Sequence, residues 1–370
     1  MTPKREYGLD LLRIISMMGI VSIHILAAGD GRGPMYDPAP TGILLQILCF
    51  LSNSSVNLFA MLSGYLYAPK QKIRSGNLIG LLVNLEAYSL VITIVLFVFS
   101  SSFLVDAASI LGSLFPMTTG AYWYLTSYIL VFLLIPWLNR LIKHINRQQF
   151  AALLVMLFCL FCLVPTLSGK DYFVIAEGYS PFWLIYCYLI GGFIRLHRDW
   201  IGARIRRFWY PVLLCMILVI AAGCYLLTVA GLVPQFLFSR LSLFVSPLCL
   251  GTAVVVMLLF LDIRIPWPSA QRIVQTLSDA AFDVYVIHCH HLFYDIFIRG
   301  NFDFLPKQSP AAALLMLLAL LIGFYLVCTL SCLIRKFLFR VLGIDALVRK
   351  AGDGVDALQE KLWRQTTEIS

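Results

Sequence analysis

The sequence predicts an all-α protein, a polytopic membrane bundle of about ten transmembrane helices. Of its 370 residues, 60% are hydrophobic and 13% are charged, a composition that water-soluble domains rarely have. The hydrophobic residues lie in long runs, and a helix needs about 20 such residues to cross a bilayer. The net charge of +9 does not indicate nucleic-acid binding, because the basic residues lie mainly in the short gaps between the runs.

Ten segments have the length and apolar character of a membrane span. They cover residues 9–28, 43–67, 78–100, 121–142, 149–168, 180–196, 208–231, 236–261, 277–298 and 311–341. The gaps between them are too short for a second folded domain, so we assign residues 1–341 to one transmembrane domain. Residues 342–370 are predicted to be a cytoplasmic tail, and their mixed charged and apolar residues are typical of an amphipathic helix.

Lysine and arginine alternate between successive gaps. Twenty-two of the 28 lie at the N-terminus, in every second gap and at the C-terminal end, whereas four lie in the remaining gaps. The other two, Arg13 and Arg240, lie within spans. Because basic residues accumulate on the cytoplasmic side of membrane proteins, the pattern predicts that both termini are cytoplasmic. The ten cysteines have no metal-ligand spacing and are interpreted as small hydrophobic residues.

Arg13 and His24 are two ionisable residues that lie well inside the first span. On a helix this spacing puts them on one face, about 20° apart in azimuth and about 16 Å apart along the axis. Ionisable side chains inside a bilayer are costly unless they face the bundle interior or a hydrated cavity. We therefore expect both to line such a cavity at two depths. Asp10, three residues before Arg13, is placed to orient the guanidinium.

Arg13 and His24 together have the chemistry that an acyl transfer needs. Arginine is a permanent cation that binds phosphate well, and a neutral histidine can take a proton from an attacking hydroxyl. A donor phosphate on Arg13 and an acceptor hydroxyl beside His24 would place the reaction inside the bundle. The alternative for His24 is a packed, hydrogen-bonded core histidine.

Four stretches carry a resemblance to a known family. Residues 7–24, YGLDLLRIISMMGIVSIH, are similar to the start of the acyltransferase-3 family of integral membrane O-acyltransferases, whose signature is an arginine and a histidine separated by ten residues. Residues 55–67, SVNLFAMLSGYLY, resemble its second helix, ending in a Ser-Gly turn. Residues 121–142, AYWYLTSYILVFLLIPWLNRLI, resemble its aromatic-rich fourth helix. Residues 277–293, LSDAAFDVYVIHCHHLF, resemble its late segment ending in Ile-His.

The resemblance implies a bacterial inner-membrane enzyme that moves an acyl group, usually acetyl, from cytoplasmic acyl-CoA to a sugar hydroxyl. The acceptor would be a surface or lipid-linked polysaccharide, such as an O-antigen, a capsule or an exopolysaccharide. Acetyl-CoA would be a co-substrate, and neither a bound cofactor nor a metal is expected. The implied partners are acyl-CoA, the glycan and the lipid bilayer, and not nucleic acid.

The resemblance also implies roles for two residues and a matching position for a third. His24 would be the catalytic base or proton shuttle, and Arg13 would hold a donor phosphate or help order the channel. His288 stands at the family's Ile-His position. In the ninth span Asp279, Asp283 and His290 are spaced to share one helix face, with His288 directed elsewhere.

Other polar residues are candidates for supporting roles. Glu86 has either a function beside Arg13, Arg240 or His24, or a place in a buried structural pair. Arg240 either contacts an anionic glycan carrier or extends to the membrane surface. Adjacent histidines splay around a helix, so His288, His290 and His291 do not predict a metal site.

A basic cluster follows the sixth span. Its five arginines suit the phosphates of acyl-CoA, and charge that sets membrane topology explains them as well. They are Arg195, Arg198, Arg204, Arg206 and Arg207.

Two other function classes stay open. A glycan flippase or transporter would use Arg13, Glu86 and Arg240 to bind anionic cargo without chemistry, and a glycan polymerase would have similar hydrophobicity. The sequence has no paired, interrupted helices of the inverted-repeat transporter kind. It also has no Gly-rich phosphate loop, serine-hydrolase elbow or zinc-protease motif.

Overall fold

The chain folds as a set of helices. The computed structural model describes residues 5–34, 36–70, 73–99, 107–200 and 203–367, and for residues 107, 203–207 and 362–367 it describes the backbone alone. Every regular element within these ranges is helical. This confirms the all-α prediction.

The α-helices follow one another through short connections. In chain order the described ranges contain α1 (Tyr7–Ile23), α2 (Pro40–Tyr67), α3 (Ser75–Phe99), α4 (Ala107–Leu114), α5 (Trp123–His144), α6 (Arg147–Phe158), α7 (Val164–Ser168), α8 (Pro181–Leu196), α9 (Ala203–Val229), α10 (Gln235–Leu241), α11 (Pro247–Phe260), α12 (Pro268–Asp279), α13 (Ala281–His288), α14 (His291–Phe297), α15 (Pro310–Val341) and α16 (Ile344–Thr367). A π-helix over His24–Ala28 extends α1, and another over Cys159–Leu163 joins α6 to α7.

Seven helical segments in the described ranges are long and apolar enough to cross a membrane. They are Tyr7–Ala28, Pro40–Tyr67, Ser75–Phe99, Trp123–His144, Arg147–Ser168, Phe208–Val229 and Pro310–Val341. Two shorter apolar helices, α8 and α11, accompany them. The protein is a membrane helix bundle, as the sequence predicts, but the structure does not confirm the count of ten.

The predicted eighth span, residues 236–261, is divided into α10 and α11. Ser246 begins the second helix, because its hydroxyl accepts the backbone N–H of Cys249 at 3.0 Å. Pro247 then occupies the first helical turn, where its missing N–H costs nothing. The division follows from this local capping chemistry.

The predicted ninth span, residues 277–298, is divided as well. It contains the end of α12, then α13 and α14, and His290 between the last two has a non-helical backbone with ψ 126°. A single continuous helix over these residues is therefore wrong. The common helix face expected for Asp279, Asp283 and His290 is wrong for the same reason.

A close crossing holds α2 against α8. The expected Ser-Gly turn at Ser63–Gly64 is wrong, since α2 continues through both residues. Gly64 instead lets the helices approach, because a Cβ there would overlap the carbonyl oxygen of Tyr188. Gly191 on α8 is its counterpart, since a Cβ there would overlap the carbonyl oxygen of Met61. Small residues at crossings allow the close packing that holds membrane helices together.

Two large clusters of buried apolar side chains form the core. The first joins α1, α2, α5, α8 and α11 and includes the fully buried Trp183 and Tyr188. The second joins α1, α2, α13 and α15 and includes Met17 and Val284. Because α1 and α2 contribute to both clusters, these two helices form the centre of the bundle. Exposed apolar residues on α3, α9 and α15, such as Val95, are typical of a surface that contacts lipid chains.

The last helix, α16, packs beside the start of α3. The backbone N–H of Ser75 donates a hydrogen bond to Asp356 Oδ1 at 3.0 Å, so a side chain from α16 satisfies a donor in the first turn of α3. The tail therefore forms a helix in the structure. Its position on the inner membrane surface stays a prediction.

Replacing Gly64 with alanine should destabilise the α2–α8 crossing, because the added methyl group would meet rigid backbone. Overpacking of this kind costs about 1–3 kcal/mol. We expect a lower melting temperature for the detergent-purified variant. Gly323→Ala on α15 is the matched control, since a Cβ there has nothing within 4 Å. Equal melting temperatures for the two variants would contradict the proposed crossing.

Candidate active site

A cavity of about 1170 Å³ lies inside the bundle, and both Arg13 and His24 line it. This is the arrangement that their spacing on α1 predicts. We call its two ends the Arg13 end and the His24 end. Tyr128, Tyr124 and Tyr285 also line the cavity, in a row whose neighbouring ring centroids are 6.3 and 6.4 Å apart, and the Tyr285 ring lies 6.1 Å from the ring of His288. The cavity therefore joins a cationic end to an end that contains imidazole, through an aromatic middle.

Asp10 connects Arg13 to α12. The Nη1 group of Arg13 donates a hydrogen bond to Ser278 Oγ at 3.1 Å and lies 3.8 Å from Asp10 Oδ1. Ser278 Oγ donates to the same Asp10 oxygen at 3.0 Å. Arg5 Nε donates to Asp10 Oδ2 at 2.6 Å, so the carboxylate is shared between two guanidinium groups. Arg13 therefore keeps positive charge with which to attract an anion.

Lys336 adds a second cation to the Arg13 end. It lines the cavity from α15, and its Nζ lies 3.7 Å from Asp279 Oδ2. Asp279 also lines the cavity and lies 3.3 Å from Arg5 Nη2. Lys336 is one of the basic residues counted at the C-terminal end of the sequence, and that pattern does not predict its position at the cavity. The 32-residue length of α15 carries the helix past the apolar stretch and brings the ammonium group to the cavity.

His24 is the first residue of the π-helix that ends α1. Such π-bulges occur frequently at functional sites. The His24 ring lies 5.0 Å from the ring of His288 and 5.2 Å from the ring of Tyr294, measured between centroids. Within the described part of the chain, its buried Nδ1 atom has no hydrogen-bond partner. Nδ1 is therefore left without a partner inside the protein, while the residue as a whole lines the cavity.

His288 is fully buried beside His24. Its Nδ1 atom lies 2.6 Å from the carbonyl oxygen of Val284, and since a carbonyl can only accept, Nδ1 carries the hydrogen. The Nε2 atom is then left with a lone pair and lies 3.5 Å from Cys289 Sγ. His288 therefore has a fixed tautomer, and its ring forms one wall beside His24.

Three possible metal ligands meet at this point. One ligand atom each from His24, His288 and Cys289 lies within 4.8 Å of the other two. Two imidazoles and a thiolate are groups that bind zinc. This set differs from the three neighbouring histidines of the sequence, because it is formed across two helices. The expectation that no metal binds stays a prediction.

A buried ion pair anchors α13. Asp283 is 2% exposed, and Arg335 on α15 donates to its Oδ1 from Nε at 2.6 Å and to its Oδ2 from Nη2 at 3.3 Å. Arg335 Nη1 also donates to Asn84 Oδ1 on α3 at 2.8 Å. Three helices are thus joined by one guanidinium. Since α13 ends in His288, this network sets the position of the imidazole beside His24.

A comparison with protein families now adds to the geometry. The model of the acyltransferase-3 family, which is described as an acyltransferase domain, matches residues 6–335.

The chain belongs to this family.

The match confirms the resemblance seen in the sequence, and together with the seven apolar segments it identifies a multi-pass membrane acyltransferase. No match was found among curated proteins or solved structures.

Two arginines of the basic cluster of the acyltransferase, Arg195 and Arg198, are described by the structure and are not among the cavity-lining residues. Arg195 Nη1 and Arg198 Nη1 lie 3.3 and 3.2 Å from Glu6 Oε1, and both donate to the hydroxyl of Tyr65. Arg198 Nη2 also donates to the carbonyl oxygen of Leu261 at 2.7 Å. These two arginines hold the start of the chain against α2 and α8. The remaining members of the cluster have side chains outside the described residues: Arg204, Arg206 and Arg207.

Two further candidates of the acyltransferase, Glu86 and Arg240, are not among the cavity-lining residues. Arg240 Nη1 donates to the carbonyl oxygen of Leu167 at 3.3 Å, and its guanidinium lies over the ring of Phe236. Glu86 is half-buried on α3, and no ion pair among the described residues joins it to Arg13. The structure thus pairs Arg13 with Asp10 at one end of the cavity and His24 with His288 at the other, and it leaves Glu86 and Arg240 apart from both pairs.

The Asp283–Arg335 pair gives a prediction about stability. Removing one partner of a buried ion pair leaves an uncompensated charge, which costs about 3–5 kcal/mol. We expect Asp283→Asn to lower the melting temperature strongly, and we expect the double variant Asp283→Asn, Arg335→Gln to recover part of the loss. Thermal unfolding of the purified variants measures both effects. Additive losses in the double variant would contradict a direct interaction.

Proposed function

We propose that this acyltransferase moves an acetyl group from cytoplasmic acetyl-CoA to a sugar hydroxyl of a surface or lipid-linked polysaccharide. The observation that carries the proposal is a cavity that Arg13 lines at one end and His24 lines at the other. The family match supports acyl transfer in general. The acceptor would be an O-antigen, a capsule or an exopolysaccharide of a bacterial inner membrane.

The donor would enter at the Arg13 end. Arg13 and Lys336 both line the cavity there, and two cations are suited to the phosphates of acetyl-CoA. The alternating basic residues favour an orientation in which this end faces the cytoplasm and both termini are cytoplasmic. The acyl-carrying arm of the donor would then extend past Tyr124 and Tyr128 towards His24.

The chemistry would take place beside His24. Its imidazole accepts the proton of the sugar hydroxyl while the hydroxyl oxygen attacks the thioester carbonyl carbon. The carbon–sulfur bond then breaks, and the proton on His24 passes to the CoA thiolate that leaves. The products are an acetyl ester and free CoA, so no further reactant is needed. His288 acts as a positioning residue, because its ring packs against that of His24.

His24→Ala should abolish most of the transfer, since general base catalysis contributes about 10²- to 10⁴-fold. The measurement is transfer of radiolabelled acetyl from acetyl-CoA in proteoliposomes, with chemically deacetylated surface polysaccharide from a deletion strain as the acceptor. His144→Ala is the matched control, because His144 is exposed at the end of α5 and does not line the cavity. Wild-type rates in purified His24→Ala protein would overturn the assignment.

Arg13→Gln and Lys336→Gln should each raise KM for acetyl-CoA about tenfold or more, because a charged hydrogen bond contributes about 1.5–3 kcal/mol. Arg272→Gln removes an exposed cation of α12 outside the cavity and serves as the control. If Arg195→Gln raised this KM while the two cavity variants did not, the donor would bind at the basic cluster instead.

Two measurements distinguish the rival functions: the same proteoliposome assay tests for a flippase, and the surface glycan of a deletion strain tests for a polymerase. A flippase would move the glycan across the membrane without forming a labelled ester. A polymerase would change glycan chain length in the deletion strain, whereas loss of an acetyltransferase should leave the length unchanged and remove the ester signals from the NMR spectrum.

A further inference from the structure

The His24 end of the cavity contains an aromatic cluster that no step of the proposed acyl transfer uses. We define this aromatic cluster as Trp123, Tyr179 and Phe244, all of which line the cavity. Trp123 begins α5, Tyr179 precedes α8, and Phe244 lies between α10 and α11. Three separate parts of the chain therefore meet at this end.

The rings of the aromatic cluster support one another. The centroids of Trp123 and Tyr179 are 4.5 Å apart, and those of Tyr179 and Phe244 are 5.2 Å apart. The rings of Trp123 and Phe244 are nearly parallel, with an interplanar angle of 13°. Phe244 is buried, whereas Tyr179 is 48% exposed. The buried ring of Phe244 thus holds the cluster in place, and the exposed ring of Tyr179 remains accessible to a ligand.

Two charged side chains line the same end. Arg299 Nε donates to Asp295 Oδ1 at 2.9 Å, and both residues are exposed and line the cavity. The guanidinium of Arg299 lies 5.7 Å from the ring centroid of Tyr294, which in turn lies 5.2 Å from the His24 ring. Hydrogen-bond donors and acceptors, an aromatic surface and the proposed base are therefore present at one end of one cavity.

This combination matches the chemistry of a pyranose ring. One face of such a ring is made of C–H groups, which carry slight positive charge and are attracted to the negative face of an aromatic ring. Its rim carries hydroxyls, which can donate to the Asp295 carboxylate and accept from the Arg299 guanidinium. A free phosphate fits less well, because Asp295 already neutralises Arg299 and repels anions.

We propose that the aromatic cluster, together with Asp295 and Arg299, is the acceptor subsite and binds a pyranose ring of the glycan with one hydroxyl directed at His24. This rests on the proposed function, since it identifies where the acceptor of that reaction binds. The two substrates then occupy opposite ends of one cavity. The ring that stacks on Trp123 and Tyr179 determines which hydroxyl reaches the base.

The test measures KM separately for the two substrates. We expect Trp123→Ala and Tyr179→Ala to raise KM for deacetylated surface polysaccharide about tenfold, which corresponds to about 1.4 kcal/mol of lost stacking. KM for acetyl-CoA should stay within about twofold, since the phosphates of the donor are proposed to bind at the other end. Trp123→Phe should retain most of the affinity. Trp209→Ala removes an exposed tryptophan of α9 outside the cavity and is the control.

Asp295→Asn provides a second variant that does not depend on the packing of the cluster, because Asp295 is exposed. It should also raise KM for the polysaccharide. If Trp123→Ala fails to fold, Tyr179→Ala and Asp295→Asn decide the question. Unchanged KM for the polysaccharide in both would overturn the subsite.

Two outcomes separate this inference from the proposed function. If wild-type protein forms no acetyl ester at all, the proposed function fails. If it forms the ester and the variants bind the polysaccharide as wild type does, the subsite alone fails. A long-chain alcohol that accepts acetyl with the same dependence on Trp123 would also overturn a sugar subsite and indicate a lipid acceptor.

Discussion

A charged group inside a bilayer needs an opposite charge or water beside it, and this constraint organises the bundle. The Asp10 carboxylate pairs with the guanidinium groups of Arg5 and Arg13. It also accepts a hydrogen bond from Ser278, which connects α1 to α12. The pair of Asp283 with Arg335 ties α13 to α15. Both networks join helices that are remote in sequence, so they determine which helices surround the cavity. The cavity persists because lipid chains cannot satisfy the polar groups that line it.

The neighbours of His24 suit a base that must also release its proton. Its ring contacts are an imidazole, His288, and a phenol, Tyr294. In a serine-protease triad, by contrast, a carboxylate holds the histidine and stabilises its charged form. In the proposed reaction the proton would pass on to the CoA thiolate as it leaves, so a short-lived imidazolium would be sufficient. The hydrogen bond from His288 Nδ1 to Val284 fixes the neighbouring ring without adding charge.

The sequence predicts the relative positions of side chains on one helix, but it does not predict contacts between side chains on different helices. The common face of Arg13 and His24 follows from helix geometry, and Asp10 follows from its spacing to Arg13, so these could be found. The meeting of His24 with His288 depends on the break before α14, which a reading of residues 277–298 as one helix hides. Lys336 was missed because its position depends on how far α15 extends. The two partners of an ion pair between helices have no fixed separation in the sequence, so no spacing pattern reveals them.

The Arg13 end of the cavity is cationic, whereas the middle of the cavity is aromatic. This difference determines which parts of a donor molecule can move towards His24. A phosphate bound at Arg13 would lose both cations if it moved inward, because the middle is lined by Tyr124, Tyr128 and Tyr285. Desolvation of the anion would then be uncompensated and costly. The neutral acyl arm meets no such barrier, since aromatic rings pack well against it. The charged part of a CoA donor would therefore stay at the Arg13 end while its acetyl group reaches His24. A cavity with this division can serve an acceptor at the far end without carrying the donor across the membrane.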